Sequence, residues 1–196
     1  MLPAGDAELI QIIDAALLDA TQRAGHWLAC KPGCHQCCTG VFRISQLDAA
    51  RLRSGREALQ TRAPEAAQQL DDRIHASQRR LGILFPGSRE TGVLDAGLEA
   101  EADFEDFANN ETCPVLDPAS GTCTLYAHRP MTCRTFGPPV RTDDGSLGVC
   151  ELCFEGASEQ EVDAAEMHLP ASDVETHLSE LTGRRGETIV TFAFDY

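Results

Sequence analysis

Apolar residues recur every three or four positions over much of the chain. Leu9, Ile12, Ile13, Ala16, Leu17, Ala20, Ala24 and Trp27 predict an amphipathic helix over residues 6 to 28. Val41-Phe-Arg-Ile44 reads as a short extended piece. Ser45-Gln-Leu-Asp48 then opens a helix carrying Leu47, Ala50 and Leu52, which Ser54-Gly55 is expected to end. Pro64 suits a first helical turn, and Ala67, Leu70, Ile74, Ser77 and Leu81 mark a second long helix. From Phe85 to Asn110 the chain turns Gly-rich, then acidic through Glu99, Glu101, Asp103, Glu105 and Asp106, the pattern of a loop or insert with a solvated face.

Beyond it the period changes. Pro118-Ala-Ser-Gly121 separates two short alternating runs, so residues 113 to 126 read as a hairpin, with Tyr126 and Phe136 in its core. Pro130 and Gly137 fit the start and exit of a short helix that places Cys133 near a helix start, where a thiolate is favoured. Asp143-Asp-Gly145 is a second hairpin turn. Ser158-Glu-Gln-Glu161 has capping-box form and opens a helix towards Leu169; Pro170 breaks it, and a helix from Ser172 to Leu181 ends at Gly183. The tail Thr188–Phe194 has strand composition and predicts an edge strand. The fold expected is α+β, mainly helical: one domain over 1–196, with a cysteine-cluster core of about 30–153, a variable insert of about 85–110 and a C-terminal helical extension of 157–196.

The cysteines change this picture. Cys30, Cys34, Cys37 and Cys38 fall within nine residues of a loop that Pro32 and Gly33 keep from regular structure. Cys113, Cys123, Cys133, Cys150 and Cys153 form a second block, and none of the nine lies elsewhere. Two blocks separated by a cysteine-free insert point to one site assembled from both. A chain of 196 residues buries a core without covalent staples, and an odd count would leave one thiol over in a disulfide framework. The net charge of −15 and the single lysine, Lys31, argue against nucleic-acid or anionic-membrane partners, which need a basic face. The first residues lack a basic n-region, and Gln11, Asp14 and Asp19 interrupt the apolar run, so neither a signal peptide nor a membrane span is expected. A cytoplasmic and, from the Ala- and Arg-rich composition, bacterial protein is inferred; in a reducing compartment clustered thiols hold metal or do chemistry.

Cys34-x2-Cys37 and Cys150-x2-Cys153 are pairs of the spacing that puts two thiolates on one metal. Zinc closed by Cys34, Cys37, Cys150 and Cys153 is one reading. Iron–sulfur clusters use similar spacings with a remote cysteine, and the excess of thiols leans towards iron. Neighbouring side chains in extended backbone point apart, so Cys37 and Cys38 would more easily serve two metals. Arg129 and Arg134 would sit beside the cluster and offset its charge, or else pair with acids such as Asp117 or Glu151. A thiol-based or metal-handling protein with Cys133 as nucleophile is the third reading. His26, in the last turn of its helix, and His75, beside an apolar stripe, are more ordinary as structural residues than as ligands.

The run Cys30 to Cys38, then Phe42-Arg-Ile-Ser45, Cys113-Pro-Val-Leu, Cys123-Thr-Leu-Tyr, Arg129-Pro-x2-Cys133-Arg-x-Phe136 and Cys150 resembles the CxxCxxCC family of zinc- or iron-chelating proteins, the YkgJ-like cysteine-cluster proteins. The first interval here is C-x3-C, and Cys153 is an addition to the pattern. The resemblance implies metal chelation through the cysteines, with iron–sulfur or zinc as the species; one 4Fe–4S cluster held by four cysteines from both blocks, with a protein partner for electron or metal transfer, is the first hypothesis. Larger relatives include flagellin lysine N-methylases. No glycine-rich nucleotide loop is present here and no catalytic machinery is identifiable, so that activity is not carried over.

Overall fold

A computed structural model of the chain describes residues 1–31, 33–142, 145–170 and 172–194. The first helix, α1 (Asp6–Ala24), buries Leu9, Ile13, Ala20 and Ala24, one stripe of its predicted face. It runs into a short 3-10 turn, Gly25–Trp27, which delivers the chain to Cys30.

The second helix, α2 (Gln46–Arg62), starts where expected, the Ser45 hydroxyl accepting from the Asp48 N–H at 3.1 Å. It does not end at Ser54-Gly55. A Cβ on Gly55 would lie 2.6 Å from the His128 ring, so this glycine lets a neighbouring turn approach the helix and breaks nothing. The helix stops at Ala63, whose φ of −151° is non-helical, as befits the residue before a proline, where the helical region is disfavoured. Pro64 opens α3 (Pro64–Leu81), which buries the five predicted residues Ala67, Leu70, Ile74, Ser77 and Leu81. The pair closes over Ile44, Leu52, Leu59, Val115, Leu125 and Val190, and Arg56 grips Asp71 with two hydrogen bonds of 2.6 Å.

The segment expected to be a loop or weakly ordered insert folds. It forms β1 (Gly87–Ser88) paired with β2 (Val93–Leu94), then α4 (Leu98–Glu105). Its aromatic residues explain this: Phe85, Leu94 and Phe107 are buried with Leu81, Ile189 and Phe192, and the Arg43 guanidinium lies 4.5 Å over the Phe104 ring.

The predicted hairpin is present as β3 (Leu116–Asp117) and β4 (Thr122–Cys123), Leu116 opposite Cys123. A helix of only five residues, α5 (Met131–Thr135), follows, and β5 (Val140–Arg141) pairs with β6 (Leu147–Gly148). Asp143 and Asp144 of the predicted turn between them lie outside the described residues. The Ser158–Glu161 capping box forms reciprocally at the start of α6 (Glu159–Ala164). That helix stops well before Leu169, because the Met167 N–H bonds Pro139 O at 2.7 Å and the Met167 side chain is buried against α1. The last helix is α7 (Ser172–Glu180).

The expected edge strand at the end of the chain is absent among the described residues. Thr188 exchanges two backbone bonds with Ile44, and residues 190–192 then turn in a 3-10 helix. The apolar composition there serves burial: Ile189, Val190, Phe192 and Ala193 are all inside. Strands of this chain are two residues long, so helices carry the core and the ribbons act as brackets for loops.

Candidate metal centre

The first cysteine block is a chain of tight turns. Cys34 N–H bonds Lys31 O and Cys38 N–H bonds His35 O, both at 2.9 Å, with Gln36–Cys38 forming one turn of 3-10 helix. Two backbone connections tie it to the second block. Cys113 N–H donates to Cys38 O at 2.8 Å, and Phe154 N–H donates to Trp27 O at 2.8 Å. The blocks therefore meet, as their spacing implied. A side-chain bond from Gln36 Nε2 to Glu151 Oε1, 2.8 Å, joins them again.

All nine cysteines are free thiols, and their mutual contacts fall into two sets. In the first, Cys30 lies beside Cys153, Cys34 and Cys150, and Cys150 in turn lies beside Cys153. The Ala29 N–H reaches Cys153 Sγ at 3.4 Å. In the second, Cys37 and Cys38 are bonded to each other and close to Cys113 and Cys133, with Cys123 beside Cys37 and Cys113. Each set draws on both sequence blocks. The set Cys34, Cys37, Cys150 and Cys153 anticipated for zinc is split between them. Cys37 and Cys38 fall together, against the expectation that they would point apart, because the 3-10 turn rotates their side chains far less than extended backbone would. Among the described residues no three Cys, His, Asp or Glu side chains already clasp one ion, so closure on a metal needs side-chain rotation.

The second set lines a cavity of about 530 Å³ whose other walls include Leu17 of α1, Phe42, Val115, Leu116, Tyr126 and Phe136. Cys30 and Cys34 line it too, while Cys150 and Cys153 are buried and do not. Tyr126 and Phe136 are not hairpin core: they are largely exposed at the cavity rim. The Cys133 thiol gains nothing from its helix, which is too short to carry an appreciable dipole.

The two arginines part company. Arg129 lines the cavity, its guanidinium 4.1 Å over the Tyr126 ring, and its charge stabilises thiolates at Cys37 and Cys123. Arg134 is fully buried and structural: it donates to Asp14 Oδ1 and Ala127 O, each at 2.6 Å, and to Arg129 O at 3.2 Å. The acid both arginines share is Asp14 of α1, not Asp117 or Glu151.

The electrostatics of the thiols are those of a site awaiting positive charge. Hydrogen bonding from Cys38 lowers Cys37 to about 6, helped by Arg129. Cys38 is pushed up, first by its hydrogen bond to Cys37, then by burial and then by the charge on Cys37. Burial raises Cys30 and Cys113 to about 12 and also raises Cys123, Cys133 and Cys150, with neighbouring thiols adding to the rise in each set. Several thiolates crowded together repel, and a bound cation is what relieves that repulsion. Soft thiolate donors without carboxylates suit zinc or iron–sulfur.

Three supporting residues are less visible in the sequence. Arg73 of α3 donates to Pro114 O and Thr124 Oγ1, both at 3.0 Å, clamping the hairpin that carries Cys113 and Cys123. Asp48 accepts from the Met131 N–H at 2.9 Å and so fixes the start of α5 below Cys133. Asp48 is itself held by the buried Arg51, which also binds Asp6. Only Asp48 had a signal, its place in the helix-start motif. His26 stacks on Trp27 at 4.3 Å and His75 is exposed, so neither histidine joins a thiol set.

Among the described residues no helix is long and apolar enough to cross a membrane. No curated protein and no solved structure matches the chain. One family model does, over residues 29–153, an interval that begins at the residue before Cys30, ends on Cys153 and takes in all nine thiols. The chain belongs to the CxxCxxCC family, described as "Putative zinc- or iron-chelating domain".

Proposed function

We propose that the protein holds a 4Fe–4S cluster through four of the five thiols Cys37, Cys38, Cys113, Cys123 and Cys133, and works as an electron-handling protein of the cytoplasm. The observation that carries this reading is the gathering of these five thiols, from both blocks, around one largely apolar cavity that Cys30 and Cys34 also line and whose wall includes the cations Arg129 and Lys31. Cys37, with the lowest thiol pKa of the set, is the natural first ligand. Such a cluster, when bound, supplies reversible one-electron transfer. Arg129 offsets the thiolate charge; Phe42, Val115 and Leu116 keep water away; both favour a higher reduction potential. The exposed Tyr126 and Phe136 at the rim suit a protein partner that approaches the cavity.

Zinc in the same five-thiol set is the competing reading. Cys113→Ser/Cys133→Ser should lose the iron and sulfide of the wild-type chain while its far-ultraviolet circular dichroism is kept. Full retention of iron and sulfide by that folded variant would remove the assignment.

A further inference from the structure

The other four thiols are not left over from this site. Cys30 and Cys34 come from the turn after α1, Cys150 and Cys153 from the loop after β6. They make two short-spaced pairs on loops that meet, Cys30 lying beside Cys34, Cys150 and Cys153. The backbone is arranged around the sulfurs. The Ala29 N–H points at Cys153 Sγ, and Phe154 N–H to Trp27 O locks the two loops together one residue beyond Cys153.

Gly137 makes room for the set. A Cβ there would sit 2.9 Å from Cys30 Sγ, and its φ of 125° suits only glycine. An apolar shell of Ala24, Trp27, Phe154 and Ala165 wraps Cys150 and Cys153, which lie outside the cavity that the five-thiol set lines. Four sulfurs in short-spaced pairs from two loops, one pair wrapped in an apolar shell, suit a tetrahedral site.

We propose that Cys30, Cys34, Cys150 and Cys153 form a second, separate centre that binds one divalent cation of the zinc type and staples the C-terminal end of α1 to the loop after β6. This goes beyond the cluster reading and does not depend on it. The five-thiol set would carry the chemistry; the four-thiol set would hold the neighbouring wall in place, since Cys30 and Cys34 also line the cavity. Zinc is redox-inert, so the staple would not discharge when the other centre changes oxidation state.

The test is a metal count on anaerobically purified full-length chain, with zinc, iron and sulfide measured on wild type, Cys150→Ser/Cys153→Ser and Cys113→Ser/Cys133→Ser. The first variant should lose about one zinc per chain and keep its iron and sulfide; the second should lose iron and sulfide and keep its zinc. If the cluster reading fails and no iron is present, each pair should still remove its own metal equivalent and spare the other's. Full zinc retention by Cys150→Ser/Cys153→Ser, or loss of all metal from either variant while it stays folded, would overturn the two-centre proposal. Because the buried pair also packs the core, Cys30→Ser at an exposed position is the guard against misfolding. With unchanged circular dichroism it should weaken competition for zinc against a chromogenic chelator by more than about 100-fold, and unchanged affinity would contradict the site.

Discussion

Cys37 and Cys38 are neighbours in sequence and opposites in chemistry. The first is a thiolate above about pH 6, held so by the Cys38 thiol and by Arg129, while the second is pushed up and stays protonated. In metal-free protein at pH 7, Cys37 should therefore alkylate with iodoacetamide faster than Cys38, Cys113 and Cys133, its rate falling away below about pH 6. Peptide mapping of briefly labelled protein checks this, and preferential labelling of Cys133 would contradict it. Cys38→Ala should slow Cys37 more than Arg129→Gln does, since the hydrogen bond is the larger influence. At this scale the sequence shows which residues are chemical but not how they group. Nothing in the spacing of nine cysteines says that Cys34 and Cys37, three residues apart, belong to different sets; the 3-10 turn between them decides it. Asp14, read in sequence only as a polar break in an apolar run, proves to be the partner of Arg129 and Arg134 because α1 packs on α5.

At the scale of elements, periodicity was a sound guide where a helix has one buried face and failed where contacts from distant residues decide the backbone. All five core positions predicted for α3 are buried. Gly55 looked like a helix end because its real partner, His128, is far along the chain. The acidic insert reads as a loop because what folds it is a chain of ring contacts running from Phe104 through Phe107 and Phe85 to the distant Phe192. The last strand was predicted from composition, which cannot separate β pairing from burial in a 3-10 turn. Gly55→Ala is expected to destabilise the protein by about 1–3 kcal/mol through overpacking against His128, without changing metal content. Urea denaturation with a parallel metal count would show it; a loss of metal in folded protein would mean that α2 does more than support.

Across the whole molecule, one ionic cluster connects what the metal sites do not. Arg51 is 2% exposed and joins Asp6 of α1, Asp48 of α2 and Glu175 of α7, while Asp48 holds the start of α5. Burial works against charge on Asp48 and on Glu175, and Arg51 opposes it at both. Arg51→Ala leaves buried carboxylates without a cation and should cost about 3–5 kcal/mol in urea unfolding, whereas Arg51→Met with Asp48→Asn should cost much less. Equal losses would show that the network acts by packing alone. The helices thus bring α1, α5 and the two loops to one place, and the thiols meet there.

The central claim is that five of these thiols hold an iron–sulfur cluster, and the visible absorption spectrum of anaerobically purified wild-type chain, with iron, zinc and acid-labile sulfide counted on the same sample, tests it most directly. A broad charge-transfer band that bleaches with dithionite, with iron and sulfide in equal amounts, is the result expected. A colourless protein carrying only zinc would contradict it.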